Sequence, residues 1–128
     1  MSHKSKGSNA ERDLIHRFWE AGWAAMRAAG SGSARTPSPD VIAGKDGRIL
    51  VIECKVTIGA KKYIDRREID ELLTFASIMK AEAWLAVKFP KRAWIFVSVH
   101  DAIQKGKSVM VDASMNEMQG YGFDELIA

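Results

Sequence analysis

The chain has one cysteine, Cys54, and three prolines in 128 residues. A single cysteine excludes an internal disulfide framework and a Cys-rich zinc site. No apolar run approaches the roughly 20 residues that span a bilayer. The opening Met1-Ser2-His3-Lys4-Ser5-Lys6 lacks the apolar stretch of a signal peptide. No membrane association is therefore expected, and the predicted location is cytoplasmic, or the host cytoplasm for a viral or phage protein. No internal repeat is present, and no linker is long enough to divide domains. Nor does one sign of charge dominate: 19 Lys and Arg face 16 Asp and Glu, a net charge of +3. Such an excess is by itself a weak sign of a nucleic-acid partner.

What is present fits one ordinary globular domain, with 47% hydrophobic and 27% charged residues. A chain of this length buries roughly two-thirds of its unfolded surface, enough for one core without staples. The charge is unevenly spread. Lys4, Lys6, Arg12, Arg17, Arg27 and Arg35 face only Glu11, Asp13 and Glu20, whereas the stretch from Asp112 to Ala128 has acids and no Lys or Arg. The basic side is thus expected from the first part of the chain and from Lys55 to Arg67. One domain, 1–128, is predicted, with a patterned core at about 8–99 and a weakly patterned extension at 100–128.

Ser8-Asn9-Ala10-Glu11 fits a capping box, so a first helix is predicted from Ser8 to Gly22. Trp23 to Ala28 reads as a strand, and Ala29 to Pro39 as a loop with a flexible Gly-Ser segment. Val41–Ala43 and Ile49–Val56 read as strands joined by a turn at Gly44-Lys45-Asp46-Gly47, an Asp-Gly hairpin signal. Thr57 to Ile64 reads as a loop. Asp65 with Glu68 looks like a capping pair opening a second helix to about Lys80. Ala83–Phe89 and Trp94–Val99 are predicted strands around a Pro90-Lys91-Arg92 turn. Beyond His100 only Val109–Val111 and a helical turn at Phe123–Ile127 stand out. The order is α-β-β-β-α-β-β, a mixed α/β layer structure with a central mixed sheet flanked by helices.

Chemistry concentrates on the strand Ile49–Val56. It is mostly apolar yet carries Glu53 and Lys55, which alternation places on one face with Cys54 opposite. An acid and a base in a buried strand must be paired or used, because a lone buried charge is costly. Pro39-Asp40 opens the preceding strand, and the hairpin register can bring Asp40 beside Glu53. Two carboxylates and a lysine suit a hard cation such as Mg²⁺. Blander readings exist: Glu11 as a capping residue, Asp40 as a turn residue, Glu53–Lys55 as a salt bridge. His16 reads as a solvated helix residue and Cys54 as a small core residue. The tryptophans read as core or interface residues.

Pro39-Asp40, twelve residues, then Glu53-Cys54-Lys55 resembles the PD-(D/E)xK nuclease signature. Around it stand Lys6-Gly7-Ser8-x-x-Glu11-Arg12-x-Leu14, Arg27-Ala28-Ala29-Gly30-Ser31-Gly32-Ser33 and Leu85-Ala86-Val87-Lys88. In that order and spacing they resemble the archaeal-type Holliday junction resolvase family, Hjc, over roughly Lys4 to Val99. The resemblance implies a restriction-endonuclease-like core and a metal-dependent endonuclease that resolves four-way DNA junctions by paired symmetric nicks. It implies Mg²⁺, with Mn²⁺ as a substitute, held by Glu11, Asp40, Glu53 and the Cys54 backbone carbonyl. Lys55 would assist the attacking water, and Ser31 would lie near the site. Arg12, Arg27, Lys4 and Lys6 would contact phosphates; Arg35, Lys61 and Lys62 are further DNA-binding candidates. No small-molecule cofactor is implied. Cys54 stands where relatives commonly have Val or Met.

The second predicted helix is apolar on more than one face. Ile69, Leu72, Leu73, Ala76 and Met79 or Lys80 should cover the sheet, and Leu72, Phe75, Ile78 and Met79 extend the stripe to a second face. A two-fold homodimer through Leu72, Phe75 and Met79 is expected, and the resembled family has interface aromatics at the positions of Phe75 and Met79. Two alternatives remain at this level: a restriction-like or repair nuclease acting on duplex DNA, and a non-catalytic architectural dimer.

Overall fold

The structure is a computed structural model describing residues 3–28, 36–102, 108–114 and 120–128. Among the described residues the elements in order are α1 (His3–Glu20), β1 (Ala24–Arg27), β2 (Val41–Lys45), β3 (Arg48–Val56), β4 (Lys61–Asp65), α2 (Arg66–Met79), β5 (Glu82–Lys88), β6 (Ile95–Ser98), α3 (Val99–Ala102), β7 (Ser108–Asp112) and α4 (Phe123–Ile127). Five strands form one mixed sheet in the order β1-β2-β3-β5-β6, and β4 pairs with β7 in a separate ribbon. β3 is central. It pairs antiparallel with β2 and parallel with β5. The parallel pairing demands a long crossover, which β4 and α2 supply.

The β2–β3 hairpin forms where the Asp-Gly signal puts it. Asp46 and Gly47 have φ of 51° and 84°, and Lys45 pairs with Arg48. Positive φ at both central residues is what a two-residue type I′ turn needs. Helices cover β3 and β5 from both sides, which is why these strands read as near-continuous apolar runs. On one face Leu14 and Phe18 of α1 pack with Leu50, Ile52, Cys54, Trp84 and Ala86, joined by Phe123 and Leu126 of α4. On the other, Ile69, Leu72 and Ala76 of α2 pack with Val51, Leu85 and Val87. The C-terminus is tied back by Arg48, which makes a two-pronged ion pair with Glu82 at 2.6 and 3.0 Å and reaches the Ala128 carbonyl at 3.3 Å.

Several expectations are corrected. α1 begins at His3, so Ser8 lies inside the helix and is not its N-cap. Lys4 and Lys6 are good helix formers, and Gly7 costs only about 1 kcal/mol. Residues 61–64, expected in a loop, and Asp65, expected as a helix cap, form β4 because β7 supplies a distant antiparallel partner. Asp65 is the N-cap of α2 by backbone conformation, but its side chain makes no capping bond. Trp23, Trp84 and Trp94 are core residues, whereas Trp19 is 59% exposed. Leu72, expected at a dimer interface, is 4% exposed and belongs to the chain's own core. It is therefore covered before any partner arrives.

Gly120 lies against the sheet, and a Cβ there would sit 2.6 Å from Ile95 Cγ2. Ile95 is β-branched and stiff at χ1. Gly120→Ala should therefore destabilise the fold by about 1–3 kcal/mol, as overpacking does. Thermal melting would detect this as a clear drop in Tm; an unchanged Tm would show that the Gly120 segment moves aside freely.

Candidate active site

The site forms where the start of β2, the second half of β3, α1 and the first turn of α2 meet. Asp40 immediately precedes β2, and its backbone extends the ladder: its N–H donates to Ile52 O at 3.0 Å and its carbonyl accepts from Ala28 N–H at 2.9 Å. Its carboxylate Oδ2 accepts from the Cys54 N–H at 2.8 Å. The side chain is thus pinned to the middle of β3. Glu53 and Lys55 lie to either side of that anchor, and Cys54 turns its thiol into the α1-side core. The alternation expected from sequence is what separates them.

Glu53 meets Asp40 in a carboxyl–carboxylate hydrogen bond. Burial first, then the charge of Asp40, with smaller pushes from the charge of Glu68 and from that hydrogen bond, raise the Glu53 pKa to about 8 against the pull of Lys55. Two carboxylates this close cannot both ionise cheaply. Lys55 Nζ lies 3.5 Å from Glu53 Oε2 and 2.7 Å from Glu68 Oε1. Burial lowers the Lys55 pKa, but the Glu68 hydrogen bond and the charges of Glu53, Glu68 and Asp40 outweigh it and raise it overall. The ammonium is therefore held charged. Cys54 is no nucleophile: burial and the surrounding carboxylates push its thiol well up.

Glu11 reaches the same region from α1. Burial, then the charge of Asp40, raises its pKa, opposed by Arg27 and Arg12. Arg27 Nε stands 3.4 Å from Glu11 Oε1. Arg12 is exposed, with Nη1 donating to Asn9 Oδ1 at 3.4 Å. Lys61 is exposed and Lys62 half-buried on β4, where Lys61 pairs in register with Asp112. Lys4 and Lys6 fall in the first turns of α1, with side chains outside the described residues; Ser31 and Arg35 also lie outside them.

The donor set suits a hard cation. It is all oxygen, and the repulsion from Asp40 that helps raise the Glu53 pKa is what a divalent charge there would relieve. Among the described residues no three His, Cys, Asp or Glu side chains are grouped closely enough to hold a metal. Asp40 and Glu53 are the pair that fits; Glu11 engages Arg27. One or two carboxylates plus waters and phosphate oxygens are the usual holding set for Mg²⁺. Sequence reading missed the role of Glu68. Its spacing from Asp65 pointed to a cap, while the signal that could have found it was Lys55 itself, a half-buried cation with room for a second acceptor.

Relatives carry the same architecture. The family model described as archaeal Holliday junction resolvase (hjc) matches residues 2–128. A crossover junction endodeoxyribonuclease Hjc of Archaeoglobus fulgidus is 40% identical over 112 residues, 88% of this chain and 82% of that one. A crossover junction endodeoxyribonuclease Hje of Sulfolobus acidocaldarius is 34% identical, covering 85% of this chain and 79% of its own. The solved structure of Archaeoglobus fulgidus Hjc superimposes with a TM-score of 0.85 at 36% identity, over 95% of this chain and all of that one. A bacterial homing endonuclease, at 17% identity and a TM-score of 0.55, covering 94% of this chain and 82% of its own, shares the fold. With near-complete coverage by the family model, identity well above 30% and the Asp40–Glu53–Lys55 arrangement on the matching fold, the chain belongs to the archaeal Holliday junction resolvase (Hjc) family.

Proposed function

We propose that this chain is a Mg²⁺-dependent endodeoxyribonuclease that resolves four-way DNA junctions by paired, symmetric nicks. The observation that carries the reading is the half-buried Asp40–Glu53 pair, with Lys55 3.5 Å from Glu53, in a chain of this family. Asp40 and Glu53 would hold the cation, with the Cys54 carbonyl as a further oxygen donor. When bound, the cation supplies charge stabilisation at the scissile phosphate and a more acidic water. Lys55 orients the attacking water and offsets developing negative charge. Arg12, Arg27 and the lysines of α1 and β4 bind phosphates and set the register of the backbone. A synthetic four-way junction and a matched linear duplex, offered together with Mg²⁺, test this: the junction alone should be cut. Equal cutting of the linear duplex would favour a restriction-like or repair nuclease.

Recognition on this reading rests on phosphates and junction shape, since the sequence shows no recognition-helix pattern. Junction affinity should fall steeply with salt and vary little among junctions of different sequence. A shallow salt dependence measured by titration would contradict it.

A four-way junction is nearly two-fold, so a two-fold dimer would present one site to each of two strands. The apolar surface left uncovered supports such a partner: Met26 is 64% exposed, Ile78 80% and Met79 38%. Trp19, Met26, Ile42 and Met79 line a groove of about 430 Å³ on this side. Phe75 is partly buried against the chain's own core, so it tests folding as well as assembly. Ile78→Glu with Met79→Glu should give a folded monomer by light scattering. A dimer that survives both changes would move the interface elsewhere.

A further inference from the structure

We propose that Glu68 is the positioning residue for Lys55, an inference that rests on the catalytic reading of Lys55. The ammonium stands 2.7 Å from Glu68 Oε1 and 3.5 Å from Glu53 Oε2, so its tighter partner is on another element. Glu68 rides the first turn of α2. Ile69, Leu72 and Ala76 lock that helix against Val51 and Leu85 of the sheet. A lysine stem has four rotatable carbons' worth of freedom, and only a fixed acceptor gives its ammonium one place. Glu53 is the more distant acceptor and one of the two carboxylates proposed to hold the cation. Were Lys55 to close on Glu53, it would compete with whatever cation the pair holds. Glu68 holds the ammonium closer than Glu53 does.

A plain tether between α2 and β3 is the competing account, and such a partly exposed ion pair contributes little to stability. A double-mutant cycle separates the two. Parent, Glu68→Gln, Lys55→Ala and the double variant are compared by single-turnover cleavage of a synthetic junction with Mg²⁺, well below every melting temperature. Junction Kd and Tm are measured alongside. Glu68→Gln keeps the shape and removes the charge. It should slow cleavage by about 10- to 100-fold, the scale of a misplaced group, with Kd unchanged. In the Lys55→Ala background the same change should cost nothing further. Glu68→Asp, which keeps the charge one methylene short, should recover part of the rate. A Glu68→Gln rate within about 3-fold of the parent, or an undiminished loss in the Lys55→Ala background, would overturn the positioning role. Parental cleavage by Lys55→Ala alone is a different result: it would refute the catalytic role of Lys55 and remove the basis for the inference.

Discussion

Glu53→Gln should abolish cleavage and, in metal-free buffer at pH 8 to 9, raise the melting temperature. The catalytic loss follows from removing one of the two carboxylates proposed to hold the cation. Cation assistance is worth several kcal/mol at a phosphoryl centre, and about 4 kcal/mol is about 1000-fold in rate. Junction binding should survive or tighten, because a negative charge facing phosphates is gone. The gain in stability follows from the raised pKa. Between pH 4.5 and about 8 the native protein still holds the Glu53 proton that the unfolded chain has released. The native state then binds more protons, so stability falls as pH rises through that window and levels off above it. The full cost is on the order of 5 kcal/mol at 1.36 kcal/mol per pH unit. Glutamine stays neutral at every pH and escapes it. The Tm advantage of the variant should fade as pH falls toward 4.5, where Glu53 is protonated in both states. Added Mg²⁺ should raise the Tm of the parent and not of the variant. A variant that melts below the parent at pH 9 would mean that Glu53 is not held against its charge.

Lys55→Arg should cut at least about 100-fold more slowly while folding and binding junctions normally. If Lys55 served only as a positive charge, arginine would replace it. The ammonium sits between Glu68 and Glu53 at 2.7 and 3.5 Å, on a side chain 21% exposed. A compact ammonium fits that gap; a planar guanidinium fork pairs with both carboxylates at once and carries its charge elsewhere. An error of about 1 Å in placing a reacting water is enough for the predicted loss. Single-turnover cleavage at saturating enzyme measures the step free of binding. A rate within a few-fold of the parent would reduce Lys55 to a source of charge.

What was legible in the sequence was what short-range chemistry determines. Asp46-Gly47 specified a turn because both residues accept positive φ, and that turn brought Asp40 back to the middle of β3. Alternation along β3 separated Glu53 and Lys55 from Cys54. The apolar stripe of α2 gave its covered face through Ile69, Leu72 and Ala76. Other features depend on residues far away in the chain. β4 exists because β7 pairs with it, in a register running from Lys61–Asp112 to Asp65–Ser108. Leu72 read equally well as core or interface, since one stripe serves both until the sheet is placed. Glu68 fitted a capping pattern in its own helix and was claimed instead by a strand thirteen residues earlier. Glu11 reached Arg27 and the field of Asp40 only because α1 and β1 pack together.

The most direct measurement of the central claim is cleavage of one synthetic four-way junction in Mg²⁺, in Ca²⁺ and in EDTA, with junction affinity measured in each. Mg²⁺ should give paired nicks at symmetric positions on opposing strands. Ca²⁺, larger and less strict in its coordination, should support binding with little or no cutting. EDTA should leave the junction intact. Asp40→Asn should behave in Mg²⁺ as the parent does in EDTA. Full cleavage in EDTA would contradict the account, because Asp40, Glu53 and Lys55 would then be acting without the cation that their arrangement is proposed to hold.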